Sequence, residues 1–138
     1  MRALTGLLAG ALLLAGCETA FVGRAPGGRY GLIEVNGQAP PFSHDPRNHC
    51  PVWINGGYFD LDSVARRFEM AIHRAGACSG TGTTVERGSY LRRGGRLELE
   101  VSAPDGTTRT VFATESGDVI ALGHDRLRLR FRQIALPR

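Results

Sequence analysis

The sequence predicts an all-β protein whose main domain is an eight-stranded antiparallel up-and-down barrel. Short segments with alternating apolar and polar side chains recur after the first thirty residues, at a spacing of about ten residues. Turn-forming residues separate them, and no helical periodicity follows the N-terminal segment. Tight turns pair sequential strands antiparallel, and a meander of eight such strands closes most simply into a barrel. A two-sheet β-sandwich is the alternative.

The first half of the domain carries three of the predicted strands. They cover residues 30–36, 52–61 and 68–73. In the third, large apolar side chains alternate with polar or small ones. The segment 39–48 contains Pro40, Pro41 and Pro46, so we expect it not to pair. Residues 76–83, rich in Gly and Thr, are predicted to form a loop.

The second half carries the other five predicted strands, which cover residues 84–92, 96–102, 107–113, 118–122 and 126–133. The last one is the most regular, because Leu127, Leu129 and Phe131 face one side and arginines face the other. Apolar side chains of these strands, with Phe112 among them, are candidates to fill the barrel.

The N-terminus predicts export and membrane attachment. Residues 1–16 combine Arg2, an apolar run too short to span a bilayer, and small residues, which is typical of a signal peptide. Leu14 to Cys17 resembles a bacterial lipobox. That resemblance implies lipid modification of Cys17, and Glu18 after it implies sorting to the outer membrane, facing the periplasm. Residues 17–28 are then the lipidated cysteine and a flexible tether, and residues 29–138 the barrel.

Composition excludes some classes of partner. The chain carries 17 basic and 13 acidic residues, a formal charge of +4, and every basic residue is arginine. The positive charge is spread along the chain, so we expect no nucleic-acid binding from an exported protein.

Two cysteines remain after Cys17. Cys50 and Cys78 each lie 14 residues from Val64, in the turn between the second and third predicted strands. They therefore fall at the same open end of a hairpin, where an oxidising compartment favours a disulfide. The alternative is a His49–Cys50 nucleophile pair, which has no acidic residue placed to orient the histidine.

No motif predicts catalysis, a cofactor or a metal ion. His44 and His49 lie in the proline-rich segment without a recognised ligand spacing, and His73 and His124 are expected at the surface. The carboxylates Asp60 and Asp62 flank a turn and are the candidates for a hydrolase alternative.

The arginine row of the last strand is the most unusual feature. Its members are Arg126, Arg128, Arg130 and Arg132. We expect an outer face paired with acidic neighbours such as Glu34 or Asp118, if the first and last strands meet. The alternative is contact with anionic lipid headgroups or an acidic envelope polymer.

Four segments carry a family resemblance: residues 30–38 (YGLIEVNGQ), 57–61, 87–90 and 97–99. They resemble small bacterial lipoproteins with a lipocalin-like barrel, which implies that fold and no particular activity. A second resemblance, at Ser116 and Gly117, is to lipoprotein inhibitors of lysozyme.

These observations predict a membrane-anchored envelope lipoprotein with a non-catalytic role. It would bind a small apolar ligand inside the barrel or an envelope partner. An enzyme inhibitor with a protruding loop near Ser116, and a hydrolase, are the alternatives.

Overall fold

A computed structural model describes residues 27–135 as one antiparallel β-sheet that closes on itself. Every regular element in that range is a strand. The strands are β1 (Gly28–Val35), β2 (Phe42–Ser43), β3 (Val52–Asp62), β4 (Arg67–Gly76), β5 (Gly80–Arg93), β6 (Arg96–Ser102), β7 (Thr108–Ser116), β8 (Val119–His124) and β9 (Leu127–Ala135).

Eight of these strands form a closed barrel, which confirms the predicted fold. From β3 to β8, each strand pairs with the next one in the chain, and β1 pairs with both β9 and β3 to close the sheet. Its residue Leu32 lies opposite Phe131 of β9, and its residue Tyr30 lies opposite Phe59 of β3. The sandwich alternative is therefore wrong, because a sandwich would leave these edges unjoined.

Strand β2 is the one addition to the predicted set. Phe42 and Ser43 pair with Ile54 and Trp53 of β3, although the sequence suggested that segment 39–48 does not pair. The prolines stand before and after this residue pair rather than within it. Burial of Phe42, which is 8% exposed, holds the short strand against the barrel.

The predicted loop at residues 76–83 is also wrong. Strands β4 and β5 stay paired out to Gly76 opposite Gly80, so the turn is only residues 77–79. Thr81 and Thr83 alternate with glycines there, and β-branched threonine favours the extended backbone.

The barrel interior is filled with large side chains. Leu97, Leu99, Leu129 and Phe131 are at most 1% exposed, and Leu127 packs against them partly buried. Phe112, which we expected inside, is 49% exposed on the outer face. The inward positions of β7 belong instead to Val111 and Ala113, which leaves Phe112 between them pointing out.

The two barrel ends differ. One end, which we call the lower end, carries the turns at residues 63–66, 94–95 and 117–118. The other, which we call the mouth, carries those at 77–79, 103–107 and 125–126. At the lower end, Arg92 and Glu115 form a bidentate ion pair at 2.7 and 2.8 Å with side chains only 15% and 5% exposed. Burial raises the pKa of the neighbouring Tyr30 to about 12.

The barrel begins one residue earlier than predicted. Gly28 already belongs to β1, and the preceding Gly27 is buried against the Leu61 carbonyl, where a side chain would clash. The signal peptide, Cys17 and most of the tether lie outside the described residues. Within residues 27–135, no helix offers the length and hydrophobicity that crossing a membrane requires.

Candidate functional site

The arginine row is partly neutralised by its neighbours, as expected. Strand β1 lies beside β9, and Glu34 accepts a hydrogen bond from Arg130 at 2.7 Å. Arg132 lies 3.6 Å from the Asp118 carboxylate. Both pairs are half-exposed, so they cancel charge more than they stabilise the fold.

The other two arginines of the row, Arg126 and Arg128, are not neutralised by an acidic side chain within the described residues. Arg126 lies in the turn before β9 with a positive φ of 64°, so it stands outside the strand. The backbone N–H of Arg128 donates to the Asn36 side chain at 2.8 Å. Within residues 27–135 neither guanidinium is in an ion pair. The positive potential of the row is therefore concentrated at its mouth half.

An outer groove of about 450 Å³ runs beside Arg128. Its floor is formed by small residues of β8, Ala121 and Gly123, and Phe112 of β7 stands on one side. The opposite side carries charged groups from β9 and β1: Arg128, Arg130 and Glu34. The groove thus places an apolar floor next to an unneutralised cation.

The groove exists because two adjacent strands separate. Strands β7 and β8 pair only from Ala113 opposite Leu122 to Ser116 opposite Val119. Phe112 lies just beyond the last pair, and Gly123 on the other side has no side chain to fill the space. The Arg96 guanidinium of β6 lies over the Phe112 ring in a cation–π contact, with its Cζ 3.9 Å from the ring centroid.

A polar cluster occupies the inner side of the mouth. His124 is 6% exposed, which corrects the expectation of a surface histidine. Its Nε2 lies 3.2 Å from Asp125 and its Nδ1 lies 3.7 Å from Glu86, which also binds Arg109. The alternation Ile120, Leu122, His124 on one face of β8 could have revealed this burial, but the predicted strand ended at residue 122.

A second pocket, of about 230 Å³, lies at the tip of the hairpin formed by β4 and β5. Arg74 extends into it and donates to the Thr84 hydroxyl at 2.5 Å, with Asp125 at 4.0 Å. Glycines 76, 80 and 82 also line this pocket. Its wall is therefore mainly backbone and hydroxyl groups.

The cysteine pair lies at the open end of the hairpin formed by β3 and β4, as predicted. Cys50 and Cys78 are disulfide-bonded with their Cα atoms 5.4 Å apart. The N–H of Ala77 donates to the Pro51 carbonyl beside them at 3.1 Å. The bond closes a loop around β3 and β4 and so restrains the mouth side of the hairpin.

The residues named for the hydrolase and inhibitor alternatives lie in contacts and turns of the barrel. Asp60 accepts a bidentate contact from Arg29 at 2.6 and 2.8 Å, and Asp62 accepts the backbone N–H groups of Val64 and Ala65. Ser116 ends β7 at a two-residue turn rather than in a protruding loop. Asp60 therefore neutralises Arg29, and Asp62 stabilises the turn after β3.

The remaining histidines do not assemble a metal site among the described residues, where no group of three or more His, Cys, Asp or Glu side chains converges. The His44 ring lies tilted against Phe42, with ring centroids 6.4 Å apart. His73, on the outer face as expected, contacts the Thr83 hydroxyl at 3.0 Å.

Comparison with protein-family models, with curated proteins and with solved structures finds no match to this chain. The function is therefore inferred from the outer groove and the mouth described above.

Proposed function

We propose that this protein is a lipid-anchored envelope protein that binds, without catalysis, a small amphipathic anion in its outer groove. The observation that carries the proposal is the Arg128 guanidinium, which has no ion pair among the described residues and borders an apolar floor. An unneutralised arginine beside apolar surface favours a carboxylate or phosphate attached to an apolar body.

The ligand chemistry follows from the charges and the width of the groove. Glu34 already neutralises Arg130, so the groove offers one uncompensated positive charge, that of Arg128. Phe112 lies two strands away from Arg128, across β8, and because β7 and β8 separate there the distance is at least about 10 Å. A single carboxylate on an acyl chain of medium length spans that distance. This ligand keeps the predicted binding role but moves the site from the filled interior to the outer face.

The anchor predicted at Cys17 is consistent with the same proposal. A lipid-modified Cys17 would hold the barrel at a membrane surface, where amphipathic anions are concentrated. Stable attachment needs more than one acyl chain, which is what the lipobox resemblance implies for Cys17. The barrel would then bind molecules present in or released from that membrane.

Titration calorimetry with decanoate tests the binding. We expect the protein to bind decanoate and to bind decanol, which lacks the charge, much more weakly. The Arg128→Gln variant should lose about tenfold in affinity, because a charge-assisted hydrogen bond is lost at a partly exposed site. Phe112→Ala should also weaken binding, and added salt should reduce the affinity for decanoate but not for decanol.

Arg132→Gln is the control, since Arg132 lies outside the groove and already pairs with Asp118. It should bind decanoate as the unchanged protein does. Equal affinity for decanoate and decanol, or equal losses in the two arginine variants, would show that the groove does not select an anion.

A further inference from the structure

Strand β5 has a free edge at the mouth. Its residues pair with β4 from Gly80 onward, but its pairing with β6 begins only at Arg87. Residues 80–86 are therefore paired on one side, and no backbone partner occupies their other side within the described part of the chain. In an antiparallel strand alternate residues direct both N–H and C=O to that side, so unused ladder groups are left there.

This edge lacks the devices that usually protect an exposed strand. Proteins block such edges with charged residues, prolines or a covering segment. Residues 80–85 read Gly-Thr-Gly-Thr-Thr-Val and all are exposed. The other strand of the same region, β3, shows the contrast, because β2 covers its edge at Trp53 and Ile54. The edge of β5 is thus available for strand addition.

We propose that two copies of this protein pair edge to edge through β5, antiparallel across a two-fold axis at Thr83. The free segment runs from Gly80 to Glu86, and Thr83 is its midpoint. Only pairing centred there uses all seven residues of each copy. A two-fold pairing also consumes the free edge of each molecule at once, so the assembly stops at a dimer.

The side chains fit this register. Thr81 falls opposite Val85, Gly82 opposite Thr84, and Thr83 opposite its own copy. Facing positions then lie on the same side of the joined sheet, as an antiparallel ladder requires. Glu86, the one charged residue of the segment, falls opposite Gly80, so no like charges meet. Residues 80–85 carry no charge, and the Glu86 carboxylate is already paired with Arg109, so no free charge of the segment opposes a second copy.

A cysteine at the axis tests the dimer in the full chain. In isolated membranes treated with a mild oxidant, Thr83→Cys should give a disulfide-linked dimer on a non-reducing gel, because residues facing each other have Cβ atoms about 5 Å apart. Ser102→Cys, on the outer face of β6, which is paired on both sides, should stay monomeric. The unchanged chain, run alongside, reveals any dimer formed through its own cysteines.

Added charge provides a second test. Introducing Thr81→Lys and Val85→Lys together into the Thr83→Cys chain places lysines opposite each other twice, and dimer formation should fall by roughly tenfold. Ser102→Lys in the same chain should leave the dimer unchanged. A monomeric Thr83→Cys chain whose thiol still reacts with maleimide would overturn the proposal. Cross-links to other proteins alone would also overturn it and would assign the edge to a different partner.

Discussion

Two adjacent arginines show how the face of a strand decides what a residue does. Arg92 lies on the inner face of β5 and forms the buried pair with Glu115, whereas Arg93 lies on the outer face 3.9 Å from Glu98. The first pair is removed from water at the lower end of the barrel, and the second has side chains 75% and 41% exposed. The same residue type therefore has unequal effects on stability.

Replacing Arg92 with leucine should destabilise the fold by roughly 2–3 kcal/mol, because it leaves the Glu115 carboxylate buried without its partner. We expect less than the loss for a fully enclosed pair, since Arg92 is 15% exposed. Urea unfolding followed by circular dichroism measures the change. Arg93→Leu is the control and should shift stability by less than about 1 kcal/mol. Equal losses for the two variants would contradict the assignment of Arg92 to the interior.

The tyrosines predict the behaviour of the protein in alkali. Burial raises the pKa of Tyr30 to about 12 and also raises the pKa of Tyr90. The hydrogen bond that Tyr58 donates to Glu69 raises the Tyr58 pKa as well. The chain has three tyrosines, so the native protein should show no ionisation step at the ordinary tyrosine pKa of about 10.

The sign of the stability change follows from these pKa values. Above about pH 10 the unfolded chain loses tyrosine protons that the folded barrel retains, so the free energy of unfolding should fall as pH rises toward 12. Below pH 10 these groups contribute no pH dependence. Absorbance titration near 295 nm, in native and urea-unfolded protein, measures both steps. Tyr30→Phe should remove the highest native step, and an unchanged titration in that variant would contradict its assignment to Tyr30.

At the scale of the strands, two inward glycines of β5 predict opposite tolerance to substitution. At Gly88 an added methyl group would overlap the Glu100 carbonyl of the neighbouring strand and touch the Phe68 ring. At Gly82, near the tip of the same strand, a methyl group would meet nothing within 4 Å. Gly88 thus lies where the sheet must bend closely to close the barrel.

Gly88→Ala should therefore destabilise the fold by about 2 kcal/mol or more, since the backbone must shift to make room. Gly82→Ala should be within about 0.5 kcal/mol of the unchanged protein, because it adds no clash and restricts the unfolded chain slightly. Thermal unfolding of the two variants measures the difference. Similar unfolding temperatures would mean that β5 does not bend at Gly88 as described.

The strands were predictable from sequence wherever buried and exposed side chains alternate. The pattern of β9, with Leu129 and Phe131 buried between arginines, located the strand and its outer face correctly. Prediction from alternation fails in the first part of β5, because glycine has no side chain to show which face is buried. It also fails at Phe112, because three apolar residues are adjacent there. In those places only the pairing with neighbouring strands decides the conformation and the face.

At the scale of the whole molecule, closure of the barrel brings distant segments together, and the sequence indicated only some of the resulting contacts. Glu34 meets Arg130 because β1 and β9 join, and this contact was foreseen for the case that the first and last strands meet. The groove at Phe112 and the free edge of β5 depend instead on strand registers. Those registers are set by packing between segments far apart in the chain, so local sequence patterns do not encode them.

If Cys17 carries a lipid, as the lipobox resemblance predicts, it limits how far the barrel can lie from a membrane. Strand β1 begins at Gly28 at the lower end, eleven positions after Cys17. A segment of that length spans at most about 40 Å, whatever its conformation. A lipidated Cys17 would therefore hold the lower end near the bilayer, with the mouth and the free edge of β5 at the opposite end of the barrel.

Cys17→Ser should consequently move the protein from the membrane fraction to the soluble fraction, because the acyl chains could no longer be attached and each buried CH₂ contributes about 0.8 kcal/mol. Fractionation followed by immunoblotting measures the distribution. Cys50→Ser is the control, since it removes a cysteine from the disulfide and should leave the protein with the membranes. If the Cys17→Ser chain stayed with the membranes until a high-salt wash released it, attachment would have to come from charges on the barrel surface. The uncompensated arginines at the mouth half of β9 would then be the first residues to replace, because salt would weaken their attraction to anionic headgroups.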